Sequence, residues 1–333
     1  MTLNFGRLGF GAAAIGNLYR AIPDSDARSV VAAAWDAGLR YFDTAPHYGF
    51  GLSEKRLGAA LADLDPRGEA ILSTKIGRRL DPAPDVDLWQ QRQGFVSPEP
   101  YESVFDYSYD AVMRSYEASR QRLQRDRIDI LYVHDIGRFA HGDAHDARMR
   151  ELMEGGFRAL TELRAAGVVG AIGLGVNEIA VCEDVLAQAN IDLILLAGRY
   201  TLLEQAPLDS LLPLCMQKGV HIVLGGPYNS GILAQGVRHG GAVHYDYGPA
   251  PAEIVARVGR MEHICADFGV ALGAAALQFP LAHPAVATVI PGIGSVRHLQ
   301  SALDLMGQPI PPAFWQVLKD EALIDARAPV PAA

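Results

Sequence analysis

Cysteine is scarce in this sequence: three residues, Cys182, Cys215 and Cys265, in a chain of 333. An odd number of widely spaced thiols argues against a disulfide framework or a zinc site and fits a reducing compartment. Blocks of five or more Lys/Arg are also missing, and 29 basic against 38 acidic residues leave a net charge of −9. That balance disfavours nucleic acid or an anionic membrane as a partner. No uninterrupted apolar run approaches the roughly 18 residues of a membrane-spanning helix. The opening MTLNFGRLGFG has neither a basic nor an apolar leader region, so no secretory signal is expected. What the chain does have is apolar bulk, half of its residues, enough to bury a large core. The expectation is a soluble cytoplasmic protein acting on a small molecule, with its oligomeric state left open.

Length alone allows about two domains or one α/β barrel of 250 residues or more. Short apolar runs alternate with helical stretches throughout. The strand candidates are RLGFGAAA from residue 7, RYFDT (40–44), ILSTK (71–75), DILYVHD (129–135), VVGAIGLG (168–175), DLILLAG (192–198), VHIVLGG (220–226) and AVATVIPG (285–292). Helices fall between them. The first has Asp24 or Ser25 as N-cap candidate and Gly38 as its stop; another starts at Ser53; a third carries Phe157, Leu160 and Leu163 at threefold spacing. A further helix spans about 252–268, an extra one occupies 271–282, and SVRHLQSAL closes the pattern. Continuous apolar strands joined by helices indicate a parallel sheet buried on both faces. Eight such units without a linker predict one (β/α)8 TIM barrel over residues 1–333. Two long loops, about 76–107 and 226–250, then lie on its C-terminal face, where such barrels carry their sites.

The stretch FDTAPHYGFGLSEKRLG (42–58) places an acid at a strand end and a phenol on the glycine-flanked loop beyond it. Alone, these are a solvated charge and a turn. Yet Asp43, Tyr48, Lys75 and His134 fall at or just past the ends of consecutive strands, which a barrel brings together. A lysine ammonium beside a tyrosine favours the phenolate, and a paired carboxylate holds the lysine in place. Asp43–Lys75–Tyr48 therefore reads as a relay with Tyr48 as general acid/base, and His134 as a donor that orients a substrate oxygen.

Those four residues, in FDTAPHYGFGLSEKRLG, ILSTKIG and DILYVHD, resemble the catalytic tetrad of the aldo-keto reductases. GLGVN (173–177) and VIPGIGSVRHLQSAL (289–303) add to a resemblance that covers essentially the whole chain. It implies a nicotinamide-dependent oxidoreductase, with cofactor contacts at Gly11, Asp43, Asn177, Gly226, Tyr228, Ser230, Gly292, Gly294, Ser295 and His298. FDYSYDAVMRSYEASRQRL and GGPYNSGIL look like the bacterial branch that oxidises aldoses such as L-fucose or D-arabinose at C1, with pyridoxal 4-dehydrogenases close by. The implied substrate contacts are Tyr48 and His134, and Trp89, Phe105 and Tyr107 are candidates to pack a sugar face.

Some positions depart from the family pattern. Val176 replaces the usual Ser before Asn177, Ala197 stands near a usual glutamine, and Gly225 falls where a stacking aromatic is common. Gly292 follows the last-strand proline in place of a basic residue, leaving Arg297 and His298 to meet a 2′-phosphate, so NAD is expected over NADP. Some members of the superfamily are regulatory subunits of potassium channels and carry an extension before the first strand; with strand one near residue 7, that role is not expected.

Two motifs are set aside. Gly9 to Ala14 matches G-x-G-x-x-A, but no strong strand precedes it and Asp43 lies 34 residues past Gly9, too far for a dinucleotide fingerprint. These glycines are expected to let a cofactor approach the first loop. HGDAH (141–145) spaces two histidines by four, in a polar stretch that reads as loop, and no metal is expected.

Overall fold

The computed structural model describes residues 3–96, 98–238 and 240–332. Eight parallel strands follow one another round the sheet: β1 (Phe10–Gly11), β2 (Tyr41–Asp43), β3 (Ile71–Ile76), β4 (Ile128–His134), β5 (Val169–Val176), β6 (Leu193–Ala197), β7 (His221–Gly225) and β8 (Val286–Ile290). Isolated bridges Leu8↔Val289 and Gly11↔Gly292 bring the first strand round to the last. Gly9 N donates to Val289 O at 2.9 Å and Gly11 N to Pro291 O at 3.1 Å. The barrel is thus the expected fold.

Its first strand is shorter than expected, because the backbone turns into a 3-10 helix at Ala12–Gly16. The glycines there serve the seam. A Cβ on Gly9 would lie 2.7 Å from Ile290 Cγ2, and one on Gly11 2.8 Å from Pro291 O. At Gly11 the close approach that needs a missing side chain is to Pro291, just past β8.

Inside the ring, Tyr41, Ile130, Tyr132, Leu195 and Val223 form a small core that Phe5 caps edge-on against Tyr41. A larger apolar layer lies between the strands and the surrounding helices. The strands are buried on both faces because both sides are covered, which is why they read as unbroken apolar runs. Helix α1 (Asp24–Asp36) starts after Pro23, and neither Asp24 nor Ser25 caps it by a side-chain hydrogen bond. Gly38 follows its end with φ +88°. The extra helical turns at 272–282 are present, whereas SVRHLQSAL is followed by one more helix, Pro312–Asp320. HGDAH is helical rather than loop, spread over three consecutive turns from Arg138 to Glu151. Among the described residues no single helix is long and apolar enough to cross a membrane.

Helix α2 (Leu52–Leu64) explains the Ser-Glu-Lys stretch. Ser53 Oγ donates to Ala12 O at 2.8 Å, and the buried Glu54 accepts from Thr74 Oγ1 and Arg122 Nε, each at 2.6 Å. These contacts tie the helix to the barrel and to its neighbour, α3 (Tyr109–Leu123). They are structural.

Both long loops follow strands onto the C-terminal face. The first folds into an antiparallel ribbon, Arg78–Pro82 against Tyr101–Phe105. The second carries a two-residue hairpin, His244–Tyr245 against Gly248–Pro249, whose tip is Asp246–Tyr247.

Candidate active site

Asp43 and His134 end β2 and β4, Lys75 is the last residue but one of β3, and Tyr48 stands on the loop after β2. The structure brings all four together. Asp43 is shared by two donors: Lys75 Nζ reaches Oδ2 at 2.7 Å and Ser73 Oγ reaches Oδ1 at 2.7 Å. Lys75 Nζ also donates to Thr44 O at 2.8 Å. Ser73 is in turn 3.0 Å from the Tyr41 hydroxyl, so the carboxylate is held from inside the barrel. The Tyr48 and His134 rings meet edge to face with centroids 6.0 Å apart. Of the four, only Tyr48 keeps partial exposure.

Charges in this enclosure act as follows. Burial lowers the Lys75 ammonium, but Asp43 and then Tyr48 outweigh it, so the net shift is upward and the ammonium stays charged. For Tyr48 burial is the larger effect and raises the phenol; Lys75 pulls it down without reversing the shift. The expected lowering by lysine is therefore present but outweighed. Burial, then the charges of Lys75 and Arg78, hold His134 well below the usual imidazole value, so it is neutral. A neutral imidazole can donate one hydrogen bond to a substrate oxygen without competing for the proton.

Four residues that sequence reasoning passed over complete the walls. His47 contacts the rings of Tyr48, Phe50, Phe95 and His134, and burial first holds it neutral too. Phe95 faces the Tyr48 ring at 6.2 Å. Arg78 and Asp135 form an ion pair at 2.7 Å beside His134. His47 and Asp135 adjoin catalytic candidates in sequence, a signal that was available. Phe95 and Arg78 lay in the long loop expected on the site face, in which only Trp89, Phe105 and Tyr107 were singled out.

The proposed sugar-packing aromatics fall elsewhere. Tyr107 is fully buried, and its hydroxyl donates to His134 O at 2.8 Å and Asp135 O at 3.1 Å. It braces the end of β4 from behind, and a side chain on Gly77 would collide with its ring. Phe105 lies beneath the Arg78 guanidinium, 4.7 Å from ring centre to Cζ. Trp89 is 87% exposed and lines no part of the main cavity. The histidines of HGDAH are engaged at Tyr107 and Ile136 O, and no group of metal-ligating side chains occurs among the described residues.

A cavity of about 710 Å³ opens beside the four, across the ends of β6, β7 and β8. None of the four lines it; Tyr247, on the exposed hairpin tip, does, and it lies within electrostatic reach of Tyr48 and Asp135. Gly198 (φ +66°), Gly226 (φ +57°) and Gly292 keep the wall free of side chains, and a Cβ on Gly292 would meet nothing within 4 Å. Past Gly292, the helix Val296–Gly307 begins with Ser295 Oγ accepting from His298 N. A bare wall ending at a helix start suits an extended nucleotide with phosphates. Tyr228 and Ser230 line the same cavity, and Ser230 Oγ accepts from Tyr247 N at 3.0 Å, pinning the hairpin tip over it. Asn177 lies outside the lining, its carbonyl accepting from Arg199 Nε at 2.7 Å. Gly294 packs on Ala14, and Gly225 on Leu195, leaving Tyr19, Tyr228 and Tyr247 as the aromatic faces of the cavity. His298 has two cations near it, Arg297 and Arg20, which after burial lower it further. Arg20 was not foreseen.

Residues 7–320 match the Aldo/keto reductase family. A pyridoxal 4-dehydrogenase of Microbacterium luteolum is 45% identical over 327 residues, covering 95% of this chain and 94% of that protein. A D-threo-aldose 1-dehydrogenase of a Pseudomonas species is 41% identical over 321 residues, with coverage of 95% and 94%. Among solved structures, the holo form of aldo-keto reductase AKR11C1 from Bacillus halodurans superposes with a TM-score of 0.70 at 26% identity, covering 97% of this chain and 93% of that one.

Proposed function

This chain belongs to the aldo/keto reductase family, an oxidoreductase family that uses nicotinamide nucleotides, and on that premise we propose that it oxidises an aldose at C1 to the lactone. The chemistry rests on the pairing of a partly exposed Tyr48 with a neutral His134 over a buried, charged Lys75; the choice of an aldose rests on the 41% identity to a D-threo-aldose 1-dehydrogenase. In a cyclic hemiacetal the C1 hydroxyl sits between the two rings. His134 orients it, and Tyr48 in its phenolate form takes its proton. Lys75 stabilises that phenolate, while Asp43, gripped by Ser73, keeps the ammonium in place. A nicotinamide nucleotide, when bound, supplies the acceptor for the electron pair that leaves C1. Gly226, Tyr228, Ser230 and Gly292 would hold it, with Ser295 at the start of the next helix and Arg199 anchoring the loop tip through Asp246 at 2.9 Å. Aligning the reacting atoms within about 3.5 Å supplies much of the rate gain in such steps.

A second reading changes the substrate to pyridoxal, favoured by the 45% identity to a pyridoxal 4-dehydrogenase. Pyridoxal also closes to a cyclic hemiacetal, through its neighbouring hydroxymethyl group, so the same groups serve. The deciding experiment assays L-fucose, D-arabinose, L-galactose and pyridoxal with NAD and with NADP. Lactone from at least one sugar at a kcat/KM above that for pyridoxal supports the aldose reading. Turnover of pyridoxal alone overturns it.

A further inference from the structure

Asp135 follows His134 at the end of β4 with φ +51°, a left-handed conformation in which Asp and Asn are enriched among residues with side chains. That turn points its carboxylate back at the catalytic histidine: Oδ2 lies 3.6 Å from His134 Nε2. The same oxygen accepts from Arg78 Nη1 at 2.7 Å. Arg78 is itself fixed, by Gln93 Oε1 at 2.9 Å and by the Phe105 ring below it. The two side chains are 28% and 15% exposed, so the pair is rigid yet open on one side. Asp135 is close enough for its charge to act on Tyr48, His47 and Tyr247, the groups that border the reacting centre. The proton chemistry at Tyr48 uses none of this, since Lys75 and Asp43 serve it from the other side.

We propose that Asp135, held by Arg78, accepts a hydrogen bond from the hydroxyl on the carbon next to the reacting one, and so selects 2-hydroxylated hemiacetals. The inference rests on the hemiacetal-oxidising reading above. Neighbouring oxygens of a vicinal diol are about one hydrogen-bond length apart. Acceptor and imidazole nitrogen 3.6 Å apart can therefore each take one of them. An ionised acceptor forms hydrogen bonds roughly twice as strong as a neutral one. A substrate lacking that hydroxyl leaves the carboxylate facing an apolar carbon, which is the kind of mismatch that sites reject well.

The test compares kcat/KM for the aldose that is turned over best with that for its 2-deoxy counterpart, in wild type and in Asp135→Asn. Wild type should favour the hydroxylated sugar by at least about tenfold, the size expected for one charge-assisted hydrogen bond. The variant should bring that ratio to within about threefold of unity, since asparagine keeps the left-handed turn but lacks the charge. A wild-type ratio near one overturns the inference while leaving aldose oxidation standing, and needs no variant. A ratio that survives in Asp135→Asn also overturns it, assigning Asp135 to support of the loop. Turnover of pyridoxal with no aldose turned over would remove both readings together.

Discussion

The Lys75 ammonium lies 4.7 Å from the centre of the Tyr48 ring, held there by an aspartate on its far side. A cation in that place lowers the phenol's pKa, and burial raises it by more. At neutral pH the resting tyrosine is therefore protonated, and oxidation draws on the small phenolate fraction. Alkaline conditions should therefore favour the proposed oxidation.

Tyr48→Phe removes the proton acceptor and keeps the ring. Turnover of the best substrate should fall by about 10²–10⁴-fold, the usual contribution of a positioned acid/base. Nucleotide affinity, read by fluorescence titration, should change little. A variant retaining more than half of the activity would take Tyr48 out of the mechanism.

Lys75→Met removes the one group beside Tyr48 that lowers its pKa. The phenol then rises further, so the alkaline-rising limb of kcat/KM for oxidation should move to higher pH. The change also leaves Asp43 buried without its partner, and loss of about 3–5 kcal/mol of stability is the usual consequence. Overlapping pH profiles for mutant and wild type would show that Lys75 does not tune Tyr48.

His47 and His134 are both held well below the usual imidazole value, burial being the first cause. Below about pH 6.5 the unfolded chain binds protons that the folded chain excludes. Their contribution is thus complete above that pH and is lost as pH falls towards the folded values. Urea unfolding between pH 7 and 5 should show this as a falling midpoint, with up to about 1.4 kcal/mol per pH unit from each imidazole. His47→Gln should make the slope shallower. An unchanged slope would mean that His47 titrates alike in both states.

For the nucleotide, we propose a preference for NAD in kcat/KM. A 2′-phosphate generally requires a fixed Arg or Lys for charge-assisted hydrogen bonds. Gly292 supplies none, and Arg20 and Arg297 are exposed side chains near His298. Gly292→Lys projects into open space, so it should improve NADP use more than NAD use. A wild type that prefers NADP tenfold or more would assign the phosphate to Arg20 and Arg297.

The barrel was legible because strands buried on both faces stand out as apolar runs, as in LILLA of β6. That Asp43, Tyr48, Lys75 and His134 would meet was legible because strand ends converge in such a ring, whatever the loops do. What escaped notice depends on contacts distant in sequence. Arg78 meets Asp135 across 57 positions, from a loop whose antiparallel ribbon has no strong pattern of its own. Tyr107 looked like a binding aromatic because sequence does not show which side of β4 it faces; it lies behind, on the carbonyls of His134 and Asp135. The net shift at Tyr48 was misjudged for a related reason: a neighbouring charge can be inferred from spacing, but the depth of burial cannot.

The seam between β1 and β8 sets when, during synthesis, a working enzyme can first exist. All four proposed catalytic residues precede Asp135, yet the outer edge of β1 finds its partners only in residues 289–293. At ribosomal rates of about 5–20 residues per second, that edge waits on the order of ten seconds or more. Waiting edges are hazardous, because their unpaired N–H and C=O groups can recruit another chain. A strand of only two residues offers few such groups, which limits the risk. A nascent chain halted before residue 286 would carry every proposed catalytic side chain and still lack the strand that closes the ring around them.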